Sequence, residues 1–277
     1  MATETSGFEI DVWPSHGGKI ASLRAAGREW LVPGRHWTRV PGPTTPFVDV
    51  EVSGWDEMFP TIDACLHAGL QVPDHGEAWR AEWLSEGDAL TFVSTVSGCV
   101  LRRTIATDVR RVRIDYQLTG TAPTEFLWAA HPLFHAPPGT RIELPDDVRS
   151  VLDVTTGSPV VVPWTASAAS IDSVSGATYR KCVLEAHQRV GWAAIVHPDG
   201  TWLRLKWPPL EVPYLALYLE REAFTKLPCI ALEPMTGWFD SLAKAAANGT
   251  ASSVDADHPV SWWIEADVGV GEAALHA

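Results

Sequence analysis

Three short segments combine a titratable side chain with apolar neighbours, the setting in which acid and base chemistry is tuned. The first is CIALEP at positions 229–234, where an apolar strand carries Glu233 and Pro234 is expected to stop the hydrogen-bond ladder. An apolar surround raises the pKa of a carboxyl group because it disfavours the charged form. Glu233 is therefore a candidate general base. The alternative is a solvated glutamate at the end of a strand.

The second segment is FLWAAHPLF at positions 126–134, in which His131 lies between two apolar groups. An imidazole, with an ordinary pKa of about 6.5, can act as an acid at cytoplasmic pH. Two other His-Pro pairs begin at His197 and His258 and lack apolar residues on both sides. These two are predicted to be surface turns, which leaves His131 as the candidate acid.

The third segment is PDHGEAWR at positions 73–80, which places His75 and Arg80 among two carboxylates and an indole. Gly76 would let the backbone pass close to a ligand. Upstream, GWDEMFP at positions 54–60 places the ring of Trp55 beside two more carboxylates. This density favours a binding loop, and a solvated ionic loop is the alternative.

Strands must position these groups, because apolar residues recur at every second place in many short segments. Residues 112–118, 203–207 and 260–268 show this alternation, and turn sequences rich in Gly, Pro and Asp separate such segments. One helix is signalled, with Asp240 as the N-cap of residues 241–247 and Asn248-Gly249 as its end. The pattern predicts an all-β fold, a large β-sandwich with one or few short helices.

The composition is that of a globular protein. The chain has 277 residues, of which 46% are hydrophobic and 20% charged, and this excludes a disordered tail or a coiled coil as its main identity. An all-β sandwich of this length is routinely one domain. We therefore predict a single domain over residues 1–277.

The net charge and the sequence motifs limit the binding partners and the cellular compartment that we expect. The net charge of −13 repels phosphate backbones and anionic lipid heads, so neither nucleic acid nor a membrane is an expected partner. There is no apolar run near the length of a membrane span and no secretory signal. The cysteines show no C-x-x-C pair and the histidines no H-E-x-x-H motif. We expect a cytoplasmic protein without a metal site.

Five segments in order resemble the aldose 1-epimerase family, the galactose mutarotase-like proteins. They are GGKIASL from position 17, GWDEMFP from 54, PDHGE from 73, AHPLF from 130 and ALEPMTG from 231. The resemblance runs from about residue 15 to about residue 265 and is greatest to the bacterial mutarotase-like branch. It implies a single-domain β-supersandwich that interconverts the α and β anomers of an aldose without a cofactor.

The resemblance also implies roles for individual residues. Glu233 matches the family's base on the anomeric hydroxyl, and His131 matches its acid at the ring oxygen. His75 matches a second active-site histidine that contacts substrate, and Arg80 falls where some relatives carry a sugar-contacting arginine. Trp55 is a further candidate sugar contact.

One segment departs from the family pattern. Many relatives carry an aspartate, often followed by a lysine or histidine, where this chain reads Tyr179-Arg180-Lys181. Arg180 then stands in place of the aspartate, and Lys181 is a candidate substrate contact. A changed substrate follows as one interpretation, including an acidic sugar attracted to the two cations. Loss of catalysis with sugar binding retained is the other.

Three functions are therefore compared. The first is a mutarotase with Glu233 as base and His131 as acid, working on a small-molecule sugar as a monomer or homodimer. The second is a non-catalytic carbohydrate-binding or sensing protein, to which the 14 tryptophans also point. The third is another sugar reaction on the same scaffold, such as epimerisation or lyase chemistry at an acidic sugar.

Overall fold

A computed structural model of the chain describes residues 7–34, 40–42, 44–50, 52–271 and 275. These residues form 22 strands, two short α-helices and three single 3₁₀ turns. The strands are β1 Glu9–Trp13, β2 Lys19–Ala25, β3 Arg28–Glu29, β4 Trp55–Met58, β5 Cys65–His67, β6 Leu70–Val72, β7 Leu84–Glu86, β8 Ala89–Val93, β9 Val100–Thr107, β10 Arg111–Thr119, β11 Thr124–Phe126, β12 Ala129–His135, β13 Arg141–Glu143, β14 Ser150–Asp153, β15 Val160–Pro163, β16 Thr178–Val183, β17 Trp192–Val196, β18 Thr201–Lys206, β19 Tyr214–Arg221, β20 Cys229–Met235, β21 Ser252–Val254 and β22 Val260–Val270. The helices are α1 Ala166–Ala169 and α2 Leu242–Ala247, and the 3₁₀ turns are Phe47–Asp49, Ala78–Arg80 and Ile171–Ser173.

Two large antiparallel sheets make up the molecule. Nine strands of the ten-stranded sheet run in the order β1-β2-β4-β12-β20-β19-β16-β14-β15, with β3 paired to β2. The eight-stranded sheet has the order β13-β17-β18-β22-β10-β9-β8-β7, and β11-β21 and β5-β6 form two small ribbons. The all-β sandwich with few short helices is therefore confirmed.

Strand alternation builds a core between the two sheets. On β10 the side chains of Val112, Ile114, Tyr116 and Leu118 are buried and belong to one large apolar cluster. The residues between them are half-buried or exposed, as expected when successive side chains point to opposite faces. We call the apolar cluster between the sheets the inter-sheet core.

A second apolar cluster covers the opposite face of the ten-stranded sheet. On β20, Ile230 and Leu232 belong to the inter-sheet core, whereas Ala231 and Met235 belong to the second cluster. By the same alternation Glu233 lies on the second face. Loops and α2 cover this face, and Leu242 of α2 packs in the same cluster. We call it the outer face.

Pro234 does not end its strand, contrary to the sequence prediction. Strand β20 continues to Met235, which pairs with Tyr214 of β19. Proline lacks a backbone N–H donor, but its carbonyl oxygen can still accept a hydrogen bond and the next residue can still pair in the sheet. Glu233 therefore lies inside a central strand and not at its end.

The helix near position 245 confirms one prediction and corrects another. Helix α2 spans Leu242–Ala247, with Asn248 as its C-cap. Its N-cap is Ser241, whose hydroxyl accepts a hydrogen bond from the Lys244 amide, so the predicted cap Asp240 lies one residue outside the helix. Neither described helix has the length and apolar character needed to cross a membrane.

Candidate active site

A cavity of about 230 Å³ opens on the outer face of the ten-stranded sheet. Drug-sized ligands typically occupy roughly 300–1,000 Å³, so this cavity suits a smaller ligand. The described residues that line it are Phe47, Val48, Val52, Ile62, Asp63, His75, His131, Tyr179, Lys181, Tyr218, Phe224, Glu233 and Asp240.

The centre of the cavity is formed by Glu233 on β20 and His131 on β12. Glu233 Oε1 lies 4.0 Å from His131 Nε2, and the two residues are 0% and 7% exposed. An acid and a base at this separation can each reach a different oxygen of one carbon, because each needs about 2.6–3.2 Å to its own proton. The structure thus brings together the pair that lies about a hundred positions apart in the sequence.

A break in the pairing of β12 with β20 surrounds this pair. The register joins Ala129 to Met235 and Leu133 to Ala231, with no ladder pair between them in these two described strands. Pro132 and Pro234 fall in the unpaired interval, and neither can donate a backbone hydrogen bond. The interrupted ladder therefore coincides with the two candidate side chains, Glu233 and His131.

Three polar atoms of the pair make no hydrogen bond within the described protein. Both carboxylate oxygens of Glu233 and the Nδ1 atom of His131 are buried without a hydrogen bond to any described group. Buried polar side chains are normally satisfied, because an unpaired group costs about 1–3 kcal/mol. Unpaired acceptors that line a cavity are typical of groups that bind a ligand.

Burial shifts the pKa of each group toward its uncharged form. It raises the pKa of Glu233, and the positive charge of Lys181 offsets only part of this shift. Burial also lowers the pKa of His131 well below its ordinary value, with smaller contributions from His75, Lys181 and Lys19. The carboxylate becomes a stronger base, and the protonated imidazole becomes a stronger acid.

His75 forms a second wall of the cavity. Its Nδ1 atom lies 2.9 Å from Asp74 Oδ1, and its ring stacks on Phe47 with 4.4 Å between centroids. The His75 and His131 rings lie 5.8 Å apart. Although burial opposes it, hydrogen bonding from His75 lowers the pKa of Asp74, so Asp74 remains a carboxylate that orients the imidazole.

Gly76 allows two backbone segments of the protein to approach closely. Its φ is +69°, and a Cβ atom there would lie 2.1 Å from the carbonyl oxygen of Phe59. The two residues form a parallel bridge. Gly76 therefore docks the loop that carries His75, and its close contact with a ligand stays a prediction.

Lys181 faces the cavity, and Arg180 does not line it. The ammonium of Lys181 lies 2.7 Å from Asp240 Oδ2 and 3.4 Å from Glu233 Oε2. Arg180, one residue earlier on β16, donates to the carbonyl oxygen of Ala168. Adjacent strand residues point to opposite faces, so only one of the two cations reaches the cavity.

Asp240 is a cavity residue that the sequence analysis missed. Its position before α2 and its carboxylate suggested a helix cap, whereas its side chain binds Lys181. Its carbonyl oxygen also accepts hydrogen bonds from the amides of Ile62 and Asp63, both at 2.8 Å. The sequence could have indicated the role of Asp240 only through the expectation that Lys181 needs a carboxylate partner.

Arg80 and Trp55 are absent from the described lining of this cavity. The Arg80 guanidinium donates to the carbonyl oxygens of Gly42 at 2.7 Å and Gly76 at 2.6 Å, so it holds the loop of His75. It lines a separate groove of about 730 Å³. Trp55 is 1% exposed and packs in the inter-sheet core. Neither placement offers the sugar contact expected from the sequence.

Aromatic rings other than tryptophan line the rim. Tyr179 and Phe224 are 39% and 45% exposed, and the Tyr179 ring lies 5.5 Å from that of Tyr218. No tryptophan occurs among the described lining residues. An amphipathic ring at the mouth of a cavity can pack against the apolar face of a sugar.

One of the two predicted histidine turns is buried instead. His197 is 3% exposed, and its Nε2 atom lies 3.0 Å from the carbonyl oxygen of His135. Its ring also packs against Trp30. The side chain of His258 is 81% exposed, as predicted. Local sequence missed the burial of His197 because Trp30 and His135 come from distant parts of the chain.

No metal site is apparent in the part of the chain that the structure describes. Its His, Cys, Asp and Glu side chains form no group of three or more placed to hold a metal ion. The cavity carboxylates of Glu233 and Asp240 face the ammonium of Lys181 instead.

Solved structures provide the comparison with known proteins, since no protein-family model and no curated protein matches the sequence. The fold is similar to that of the Slr1438 protein of Synechocystis, with a TM-score of 0.76 and 16% identity over 96% of each chain. A galactose mutarotase-like protein of Lactobacillus casei gives a TM-score of 0.65 and 15% identity, covering 96% of this chain and 99% of that one. A galactose mutarotase related enzyme of Lactobacillus acidophilus gives 0.64 and 11%, with 97% and 98% covered.

These matches confirm the expected fold type. They span almost the whole of each chain, so the galactose mutarotase-like β-sandwich accounts for the architecture and not just for part of it. At 11–16% identity they establish a shared fold, and one fold hosts many reactions. The reaction must therefore be argued from the cavity.

Proposed function

We propose that this chain, which has the galactose mutarotase-like fold, is an aldose 1-epimerase that interconverts the α and β anomers of a sugar. The observation that carries the proposal is the buried pair of Glu233 and His131, whose side chains approach to 4.0 Å in a cavity of about 230 Å³. The unpaired oxygens of Glu233 supply the acceptors that a sugar hydroxyl needs.

Opening a cyclic sugar requires two proton movements at one carbon. A base takes the proton of the anomeric hydroxyl while an acid protonates the ring oxygen, and the C1–O5 bond breaks to leave the open-chain aldehyde. In our proposal Glu233 is the base and His131 is the acid. Each contributes roughly 10²–10⁴ in rate. After rotation about C1–C2 the two groups exchange roles and close the ring on the other face of the carbonyl.

The charges around the cavity favour a sugar that carries no negative charge. The described lining holds three carboxyl groups, Glu233, Asp240 and Asp63, against the single ammonium of Lys181. Burial raises the pKa of Asp63, and the carboxylate of the nearby Asp240 raises it further. The carboxylates of the lining would repel the negative charge of a uronic acid or a sugar phosphate. A neutral aldose is therefore the proposed substrate class.

His75 is proposed to contact the substrate. It lines the same cavity as Glu233 and is oriented by Asp74 and Phe47, so the edge of its ring has a fixed direction. A preoriented imidazole can hydrogen-bond a sugar hydroxyl without losing much conformational freedom on binding.

The test measures anomer exchange directly. Two-dimensional NMR exchange spectroscopy on a panel of neutral aldoses, uronic acids and sugar phosphates should show accelerated exchange for at least one neutral aldose. Glu233→Gln and His131→Asn should remove the acceleration and retain the fold, as judged by circular dichroism. Unchanged rates in both variants would reject the assignment.

Two other results would favour the other functions. Calorimetric binding of a sugar without accelerated exchange would favour a binding or sensing protein. New stereoisomers or unsaturated products from uronic acids would favour a different sugar reaction on the same fold.

A further inference from the structure

We propose that Lys181, held by Asp240, is a positioning residue that keeps Glu233 ionised and oriented, and that it does not itself bind the sugar. This inference rests on the proposed function, because it assigns a role relative to the proposed base. It also assigns to Asp240 the role of holding the Lys181 ammonium, which nothing in the local sequence indicated.

Three separate elements bring these side chains together. Lys181 comes from β16, Glu233 from β20 and Asp240 from the loop before α2. The ammonium lies 2.7 Å from Asp240 Oδ2 and 3.4 Å from Glu233 Oε2. Lys181 and Asp240 are 18% and 19% exposed at their side chains, and Glu233 is fully buried. The contact is therefore shielded from bulk water.

The geometry gives Asp240 and Glu233 different relations to the same cation. At 2.7 Å, Asp240 accepts a charge-assisted hydrogen bond that fixes the ammonium. At 3.4 Å, Glu233 interacts with its charge, yet both carboxylate oxygens lack a hydrogen bond. The ammonium can thus stabilise the carboxylate charge and leave both acceptors available to a sugar hydroxyl.

A buried carboxylate without such a neighbour would retain its proton. Removal from water disfavours the charged form, and an opposite charge within about 4–6 Å counteracts this effect. Among the described lining residues, Lys181 is the one lysine or arginine. Although burial by itself would lower it, Asp240 and Glu233 raise the pKa of Lys181, so the lysine stays charged.

The other groups that face Glu233 do not replace Lys181. His131 approaches to 4.0 Å, but burial lowers its pKa, so it supplies positive charge to Glu233 less readily than Lys181 does. The hydroxyl of Tyr218, on the neighbouring strand, donates to Glu220 instead. The charge of His75 lowers the pKa of Glu233 less than that of Lys181 does, and Asp240 adds negative charge that raises it. Lys181 and Asp240 therefore act on Glu233 with opposite signs.

The opposite signs make a direct test possible. The titration of Glu233 can be followed in the sugar-free protein by carbon-13 NMR of labelled glutamate, with the resonance identified by its loss in Glu233→Gln. Lys181→Met should raise the midpoint by about one pH unit or more, in the range of an opposite-charge effect. Asp240→Asn should lower it, because the negative charge is removed and a hydrogen-bond acceptor is retained.

Two variants serve as controls. Lys181→Arg retains the charge and should keep the midpoint near that of the unaltered protein. Lys226→Met removes an exposed lysine outside the cavity lining and should leave it unchanged. If Lys181→Met does not fold, Lys181→Gln takes its place and should likewise raise the midpoint, while Asp240→Asn should lower it.

Unchanged midpoints, or shifts of the same sign in Lys181→Met and Asp240→Asn, would overturn the inference. A sugar-binding role for Lys181 would instead weaken sugar affinity without moving the midpoint, and calorimetry would detect that. Because the titration needs no catalysis, absence of anomer exchange in the unaltered protein would reject the proposed function separately.

Discussion

Two buried glutamates on opposite faces of the ten-stranded sheet differ in their hydrogen bonding. Glu57 on β4 points to the inter-sheet side, and Glu233 on β20 points to the outer cavity. Both are 0% exposed, and burial raises the pKa of both. Burial and the direction of the pKa shift therefore do not distinguish them.

Hydrogen bonding does distinguish the two carboxyl groups. Glu57 accepts from Arg103 Nη1 at 2.6 Å, from the Tyr116 hydroxyl at 2.8 Å and from Trp128 Nε1 at 2.8 Å. Glu233 accepts no hydrogen bond from the described residues. Hydrogen bonds to both oxygens of a buried carboxyl group stabilise the fold, whereas unpaired buried acceptors are retained where a ligand can complete them. The comparison indicates a structural role for Glu57 and a chemical role for Glu233.

The largest effect is expected for catalysis in Glu233→Gln. Accelerated anomer exchange should fall by roughly 10²–10⁴ because the amide cannot act as a base. The melting temperature should be unchanged or higher, since the buried charge of Glu233 is removed while Lys181 keeps its ion pair with Asp240. NMR exchange and calorimetric unfolding measure the two quantities. A marked loss of stability with activity retained would reverse the roles inferred above.

Glu57→Gln should show the opposite pattern. It leaves the buried charge of Arg103 uncompensated, which costs about 3–5 kcal/mol of unfolding free energy. Activity per folded molecule should be retained. Urea unfolding measures the loss, and Glu82→Gln on the surface should stay within about 0.5 kcal/mol of the unaltered protein. Equal stability of the two variants would contradict a structural role for Glu57.

A narrow bell-shaped pH dependence of kcat/KM is the third expectation. The rate falls at low pH because Glu233 gains a proton, and its raised pKa moves that fall to a higher pH than for a surface glutamate. At high pH His131 loses its proton, and its lowered pKa moves that fall to a lower pH than for a surface histidine. Rates are measured from pH 5 to 9 and corrected for spontaneous exchange. On both the acidic and the basic side of the optimum, kcat/KM should fall about tenfold per pH unit. A flat profile would exclude the pair as the reacting groups.

The smallest effect is expected at the rim. Tyr179→Ala should raise KM a few-fold with little change in kcat, since an aromatic contact contributes about 0.5–1.5 kcal/mol. Trp55→Phe should leave KM unchanged, because Trp55 packs in the inter-sheet core. Initial rates over a range of sugar concentrations separate the two constants. A raised KM in Trp55→Phe alone would restore the sugar contact expected from the sequence.

Local pattern was sufficient for much of the fold. The alternation of residues 112–118 predicts a two-faced strand, and β10 shows the expected burial at every second residue. Side-chain direction in a strand has a period of two, so one buried face is visible in the sequence itself. The helix α2 was also predicted, because its apolar residues and the residues that signal its ends lie within one short segment.

Local pattern failed where a distant partner decides the outcome. Asp240 has the residue type and place of a helix cap, but its carboxylate binds Lys181 of β16. The difference of one position between Arg180 and Lys181 decides which side chain faces the cavity, and it depends on the register of β16 against β19. Trp55 has the amphipathic ring of a sugar contact, yet its strand turns it into the inter-sheet core.

The amino-acid sequence by itself determined the strands, the all-β class and the identity of the acid and base candidates, because these depend on residue type and on spacing within short segments. Only the tertiary structure decided that Glu233 and His131 approach to 4.0 Å, that Lys181 is shared between two carboxylates and that Glu57 is satisfied while Glu233 is not. Those outcomes depend on cross-strand register between residues far apart in the chain, which no short segment encodes.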